Sequence, residues 1–233
     1  MVFDYPPFML RVTYICPLSL DRLTGTPIRI RTTIKAGLPF CESTVIAREG
    51  SMPDAMVRLT GKKGIFGFTR QALAFTKLAR PQVIHVFTTL AMIPAILYKL
   101  RHPSVRVVFE MHGWSWFETS GFLPLWKRLL FWKIDVLGMW MADEIIAMSY
   151  TQKAFLSRYI PWKREAITVL WGPVDFLASA GRESSEECVV GYVGNSEPWQ
   201  GIDTIIAAAR ALEDTPGIRF ALAGFAYEDE KRF

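Results

Sequence analysis

The chain is poor in the residues that staple a small protein or hold a metal, with three cysteines and three histidines in 233 residues. Cys16, Cys41 and Cys188 are odd in number, far apart and at no metal-type spacing from a histidine. That pattern excludes a disulfide framework and a zinc site, and the cysteines read as reduced thiols of a cytoplasmic protein. Concentrated basic charge is missing as well. The net charge is +5 with Lys and Arg scattered, and no nucleic-acid-binding motif occurs, so nucleic acid is not an expected partner, whereas a phosphate-bearing small molecule or anionic lipid is. There is no uninterrupted hydrophobic run of membrane-spanning length. The least polar stretch, Val83–Leu100, is broken by His85, Thr88, Thr89 and Pro94 into a strand, a polar turn and a helix. Nor is there a leader pattern: Asp4, Pro6 and Pro7 precede only a short apolar run containing Arg11.

What the chain does have is apolar residues in short alternating blocks, enough for a large core. Leu10–Cys16 reads as a first strand, with residues 1–8 as an extension before Met9. The loop Pro17–Gly25 leads to a helix that Thr26 caps, Pro27 opens and Gly37 stops. Arg29 and Arg31 lie on different sides of its first turns, within reach of an acidic ligand or on a solvated face. Further strands are expected at Thr44–Ala47, Ala55–Leu59, Val83–Phe87, Val105–Phe109, Glu144–Met148 and Ile167–Leu170. Helices are expected over Thr69–Ala79 after the loop at Lys62-Lys63-Gly64, over Ala91–Leu100, and from a capping box at Ser149–Gln152 to Tyr159. Strands alternating with helices build a parallel sheet. Val105–Phe109 is its most apolar strand and belongs inside the sheet, and Glu110, Met111, His112 and Gly113 stand at its carboxyl end, where open α/β sheets bind ligands. His112 there hydrogen-bonds a ligand or is satisfied by local backbone.

Gly172 to Glu187 turns small and polar without hydrophobic period, which reads as a linker (172–187) between a first domain (1–171) and a second (188–233). The second opens on Val189–Val193, suited to a buried parallel strand. A glycine turn follows, then a helix with Ile202, Ile205, Ile206, Ala209 and Leu212 on one stripe, then the strand Arg219–Ala223. Strand, turn and helix start converge where backbone N–H groups and the helix dipole favour an anion such as phosphate.

Trp114–Trp140 is the most unusual segment. Leu125, Leu129, Trp132, Val136 and Trp140 recur at helical spacing, while Trp126, Leu130 and Phe131 spread apolar character to other faces beside Lys127, Arg128 and Lys133. This composition suits a helix on an anionic membrane surface, through Trp126, Lys127, Arg128, Trp132 and Lys133, or a core helix packed on both sides.

The ordered set of Leu18–Pro27, His112-Gly113, Ala142–Ser149 and Gly191–Asp203 resembles the retaining glycosyltransferases of family 4. Their GT-B architecture pairs two Rossmann-like α/β domains. The resemblance implies sugar transfer from a nucleotide-sugar donor to a hydroxyl of a glycan or lipid-linked acceptor in the cleft between domains, with retention, no metal and no cofactor. It implies that Gly25 and Thr26 approach the donor phosphates or acceptor and that His112 bonds the donor sugar or reaction centre. The turn with Gly194, Asn195, Gln200 and Gly201 would hold the diphosphate, and Arg29 and Glu110 fall on the acceptor side.

The sequence also departs from that pattern. Where the family often places Arg and Lys around the turn, Asn195 and Gln200 donate hydrogen bonds without charge. Gly172-Pro173-Val174-Asp175 replaces the family's Asn-Gly-Val-Asp, and its later glutamate pair has no counterpart before Phe233. The chain is therefore expected to be a piece of a peripheral, cytoplasmic-face enzyme, inactive alone. The alternatives are a nucleotide-sugar epimerase of the same fold or a non-catalytic binding module.

Overall fold

The computed structural model describes residues 9–21, 25–61, 64–120, 123–171, 187–194 and 200–224. The expected extension at 1–8, Lys62 and Lys63, the linker up to residue 186 with its Gly172–Asp175 segment, Asn195 and the charged tail beyond Gly224 lie outside the described residues. The chain divides into two compact units, Met1–Asp175 and Phe176–Phe233.

The first unit is a seven-stranded sheet ordered β3-β2-β1-β4-β5-β6-β7. Its strands are β1 (Leu10–Ser19), β2 (Cys41–Glu49), β3 (Met56–Leu59), β4 (Val83–Val86), β5 (Arg106–Met111), β6 (Glu144–Ala147) and β7 (Ile167–Val169). Every pairing is parallel. The helices are α1 (Gly25–Gly37), α2 (Ile65–Ala79), α3 (Thr89–Lys99), the single turn α4 (Ser115–Glu118), α5 (Leu125–Met141) and α6 (Tyr150–Tyr159), with a 3-10 turn at Pro161–Ala166. From β1 the chain winds outward through β2 and β3, then returns to place β4 on the other side of β1. The loops after β1 and β4 thus part at a topological switch point, where such sheets open a crevice.

Alternation along the strands divides two cores. Ile84, Val86, Val107, Phe109, Met111 and Ile145 pack with α2, α3, α5 and α6, while Val12, Tyr14, Cys16 and Val45 pack under Ile30 and Ile34 of α1. Helix α6 begins at the expected cap: Ser149 Oγ accepts from Gln152 N at 3.1 Å, and Gln152 reaches back to accept from Met148 N at 2.6 Å. Gln152 also donates to the Met111 carbonyl at 2.9 Å, tying the end of β5 to α6.

Helix α5 departs from expectation. The inward residues are Asp135, Gly138 and Met139, with Trp132, Ile134 and Val136 partly buried, whereas Leu125, Leu129 and Trp140 of the expected stripe are exposed. Gly138 sets the stripe, because a Cβ there would lie 3.0 Å from Met92 of α3. The opposite face, with Leu125, Trp126, Leu130 and Leu137, is uncovered, so α5 is not packed on both sides. Among the described residues no helix is long and apolar enough to cross a membrane.

In the second unit β8 (Cys188–Val193) pairs in parallel with β9 (Ile218–Ala223), and α7 (Ile202–Ala211) lies between them in sequence. Gly224, at φ +99°, takes a conformation that favours glycine, and a Cβ there would collide with the Gly194 carbonyl. Ile202, Ile205, Ile206 and Ala209 form the less exposed side of α7, but Leu212 falls outside it. The expectation of a buried strand does not hold here. Val189, Val190 and Val193 are exposed, because among the described residues of this unit α7 is the sole helix beside the sheet.

Candidate functional site

The carboxyl end of β5 carries a buried polar node. Period-two alternation turns Glu110 to the same face as Val108, which pairs in register with His85 of β4. Glu110 has no exposed surface. Its Oε1 accepts from Arg29 Nε at 2.6 Å and His112 Nε2 at 2.9 Å, and its Oε2 accepts from His85 Nε2 at 3.0 Å. Burial alone would raise its pKa, but the hydrogen bonds from His112, His85 and Arg29, with the charge of His85, outweigh that and hold it well below the usual carboxylate range. An ionised carboxylate can only accept, so both imidazoles present Nε2–H to it. The bond leaves Nδ1 as the free nitrogen of His112 and fixes the ring's orientation, as does Phe87, whose ring stands edge-on at 6.1 Å.

Around His112 lies a cavity of about 50 Å³ lined by Phe87, Thr88, Thr89, Met111, Gly113 and Glu118. Thr88 Oγ1 is buried there without a hydrogen-bond partner. Glu118 folds over Gly113 so closely that a Cβ at that position would collide with its carboxylate. Burial raises the Glu118 pKa, opposed by the charge of His112. This gives the site one carboxyl over Gly113 whose pKa burial raises and an ionised one hydrogen-bonded to His112.

The expected site residues fall into three groups. Gly25 and Thr26 open α1, and Arg29 one turn later pins that helix start to β5 through Glu110 and to the residue after β7 through a 2.9 Å bond to the Leu170 carbonyl. The structure therefore brings Gly25, Thr26 and His112 to one edge of the sheet. Arg29 and Glu110, expected on the acceptor side, are buried against each other; 81 residues separate them, so no local pattern could show the pair. Arg29 is also not on the solvated face that helix position alone suggested, although Arg31 is partly exposed.

On α5, Trp126, Lys127 and Lys133 are exposed. Arg128 is not available in the same way: its guanidinium lies 4.4 Å over the Trp116 ring and donates to the Trp116 carbonyl at 3.2 Å. Trp132 is half-buried against the core. In the second unit, Gly201 adopts φ 70° as the N-cap of α7, and Gly194 continues the ladder by donating to the Ala223 carbonyl at 3.0 Å. Gln200 is exposed beside Gly201, and Asn195 lies outside the described residues.

Sequence reasoning passed over His85, Glu118 and Asp135. A lone His in the apolar strand Val83–Phe87, and a lone carboxylate in the apolar turn Ile134–Met139, were the available signals. Asp135 has no exposed surface. It accepts from Thr89 Oγ1 at 2.6 Å and Ser115 N at 3.1 Å, joining α5 to the starts of α3 and α4. Burial pushes its pKa up to about 6 against those hydrogen bonds, since no cation offsets it. Among the described residues, no group of His, Cys, Asp and Glu is arranged to hold a metal ion.

Solved structures share this architecture at low identity. Anabaena Alr3699/HepE in complex with UDP and glucose superposes with a TM-score of 0.67 at 14% identity, over 95% of this chain and 63% of its own. The lipopolysaccharide outer core galactosyltransferase WaaB gives 0.62 at 14% identity, over 94% and 62%. A UDP-N-acetylglucosamine 2-epimerase from Rickettsia bellii gives 0.50 at 12% identity, over 96% and 71%. The chain thus spans less than two thirds of the length of the first two. The fold is Rossmann-like α/β of the GT-B type. The sequence profile of Glycosyltransferase Family 4 matches residues 40–176, more than half of the chain, and the protein belongs to that family. No curated protein matches the sequence.

Proposed function

We propose that the protein serves a retaining, metal-independent hexosyl transfer from a nucleotide-sugar to a hydroxyl of a glycan or lipid-linked acceptor. The observation that carries this reading is His112, whose Nε2 is committed to Glu110 at 2.9 Å and whose Nδ1 is left for a ligand at the carboxyl rim of β5. Neutral Nδ1 accepts a hydrogen bond from a sugar hydroxyl, and protonated Nδ1 donates one. As the bond from the anomeric carbon to the diphosphate breaks, negative charge builds on the leaving group, and the acceptor oxygen attacks from the face it vacates while its proton passes to the departing phosphate oxygen. Donors aimed at that charge lower the barrier. In this reading the N–H groups at Gly25 and Thr26, on the positive end of α1, are such donors. In the second unit the Gln200 amide and the turn at Gly201 before α7 offer neutral donors to a phosphate; the Gly194 N–H does not, since it donates to the Ala223 carbonyl.

The fold likeness to a protein that holds UDP and glucose supports a nucleotide-sugar as the donor. The exposed apolar face of α5, with Trp126, Lys127 and Lys133, supports a peripheral position on an anionic, cytoplasmic membrane face.

The test uses the protein encoded by the whole reading frame, offered UDP-glucose, UDP-galactose and UDP-N-acetylglucosamine with a membrane-lipid extract. His112→Ala is expected to lower transfer at least about tenfold, because a hydrogen bond made in the transition state is lost. Unchanged transfer would remove His112 from the site and this mechanism with it. The epimerase of the same fold supplies the competing outcome: interconversion of UDP-sugars with no acceptor present.

A further inference from the structure

A second, aromatic-walled cavity of the first unit stands apart from the pocket around His112. Trp114, Trp116, Phe117, Leu129, Trp132 and Tyr159 wall a cavity of about 330 Å³ between α4, α5 and α6. At about 30 Å³ for a water-sized group, it holds roughly ten chain carbons. We propose that this cavity takes the hydrocarbon chain of a single-chain lipid phosphate, whose phosphate-linked head group carries the acceptor hydroxyl of the transfer. The inference rests on the transferase reading above and names its acceptor class.

Three observations converge on that occupant. The wall is almost wholly hydrocarbon, so a sugar would bury its hydroxyls without partners, whereas an alkyl chain loses nothing by leaving water. Charge sits beside it: Arg128 lies over the Trp116 ring, and its Nε has no hydrogen-bond partner, while Lys127 is exposed one residue away. Trp114, only 8% exposed, likewise has an indole N–H without a partner. Leu129 belongs both to the cavity wall and to the uncovered face formed with Leu125, Trp126 and Leu130. A chain can therefore pass from a bilayer to the cavity along apolar surface.

The cavity and His112 share a wall. Trp114 follows His112-Gly113 directly, and the single turn α4 lends Trp116 and Phe117 to the cavity and Glu118 to the pocket around His112. A chain seated among the aromatics thus puts its head group beside the reacting end of β5.

Dodecyl phosphate, kept below its micelle concentration, is the probe, with butyl phosphate, inorganic phosphate and dodecyl maltoside as comparisons. In ¹⁵N-indole spectra of the full chain, the Trp114, Trp116 and Trp132 signals are expected to shift with dodecyl phosphate while Trp171 does not. Butyl and inorganic phosphate should leave all four in place. Leu129→Trp, which fills the cavity from a half-exposed position, should weaken dodecyl phosphate at least tenfold, and Arg128→Gln should weaken it several-fold without affecting dodecyl maltoside. Absence of indole shifts, or equal binding by inorganic phosphate, overturns the proposal. So does binding of the maltoside that survives Leu129→Trp. Chain binding is read without transfer, so loss of transfer in His112→Ala with an empty cavity sinks this inference alone. A filled cavity with His112→Ala fully active sinks the transferase reading instead.

Discussion

Glu110 at the end of β5 and Asp135 in the middle of α5 are both carboxylates without exposed surface, yet their surroundings drive them in opposite directions. Glu110 meets a guanidinium and two imidazoles and is held ionised. Asp135 meets hydroxyl and amide donors, and burial dominates, lifting its pKa to about 6. Equal burial therefore does not make equal chemistry; the presence of a cation within hydrogen-bond reach decides the charge state. The node with the fixed charge orients His112, while the node without one joins helix starts.

The largest effect expected from breaking this contrast is Glu110→Ala. It leaves the Arg29 guanidinium buried with no carboxylate and should cost roughly 3–5 kcal/mol, a fall of about 10 °C in melting temperature for a chain of this size. A drop of only one or two degrees in a thermal melt would show that water replaces the carboxylate at little cost.

Asp135→Asn sharpens the comparison through pH. The folded pKa of Asp135 is raised from 3.8 to about 6, so its contribution is full below pH 4 and lost as pH rises through 6. The variant's stability relative to the parent should therefore improve between pH 4 and pH 7, by up to roughly 3 kcal/mol. Urea midpoints at the two pH values measure this, and a constant offset would mean the carboxyl does not titrate in that window. Glu110 has the opposite sign: its folded pKa is depressed, so its contribution is present above pH 4.5 and lost as pH falls. Glu110→Gln should flatten the acid limb of the profile, whereas Asp135→Asn should not.

The smallest effect is Gly113→Ala. The added Cβ meets the movable end of Glu118 and no backbone, so the carboxylate swings away at a cost of about 1 kcal/mol or less. Transfer is expected to fall more than stability does, because Glu118 leaves the pocket around His112. Equal losses in both would place Gly113 in packing alone.

Much of this was legible in the order of residues. The alternation of short apolar strands with helices, and the position of His112 after an interior strand, follow from periodicity and from where α/β sheets bind. The Ser149–Gln152 cap was readable because its partners are three residues apart. The Arg29–Glu110 pair was not, since a contact over 81 residues has no local signature. The inward face of α5 was misjudged for a related reason: Trp and Leu announce hydrophobicity, but Gly138 and Asp135 announce where another helix comes close. The strand Val189–Val193 shows the same limit. It is as apolar as β5, yet its valines are exposed, because burial depends on what neighbouring elements cover.

By itself, the order of residues determined the strands and helices of both units, the parallel character of the sheet and the rim on which His112 stands, because each depends on spacings of a few residues. Only the tertiary structure decided which charges are buried, which of two carboxylates has its pKa raised and which has it lowered, and which face of α5 is uncovered. Those outcomes depend on desolvation and close approach between groups far apart in the chain, and neither is encoded at any single position.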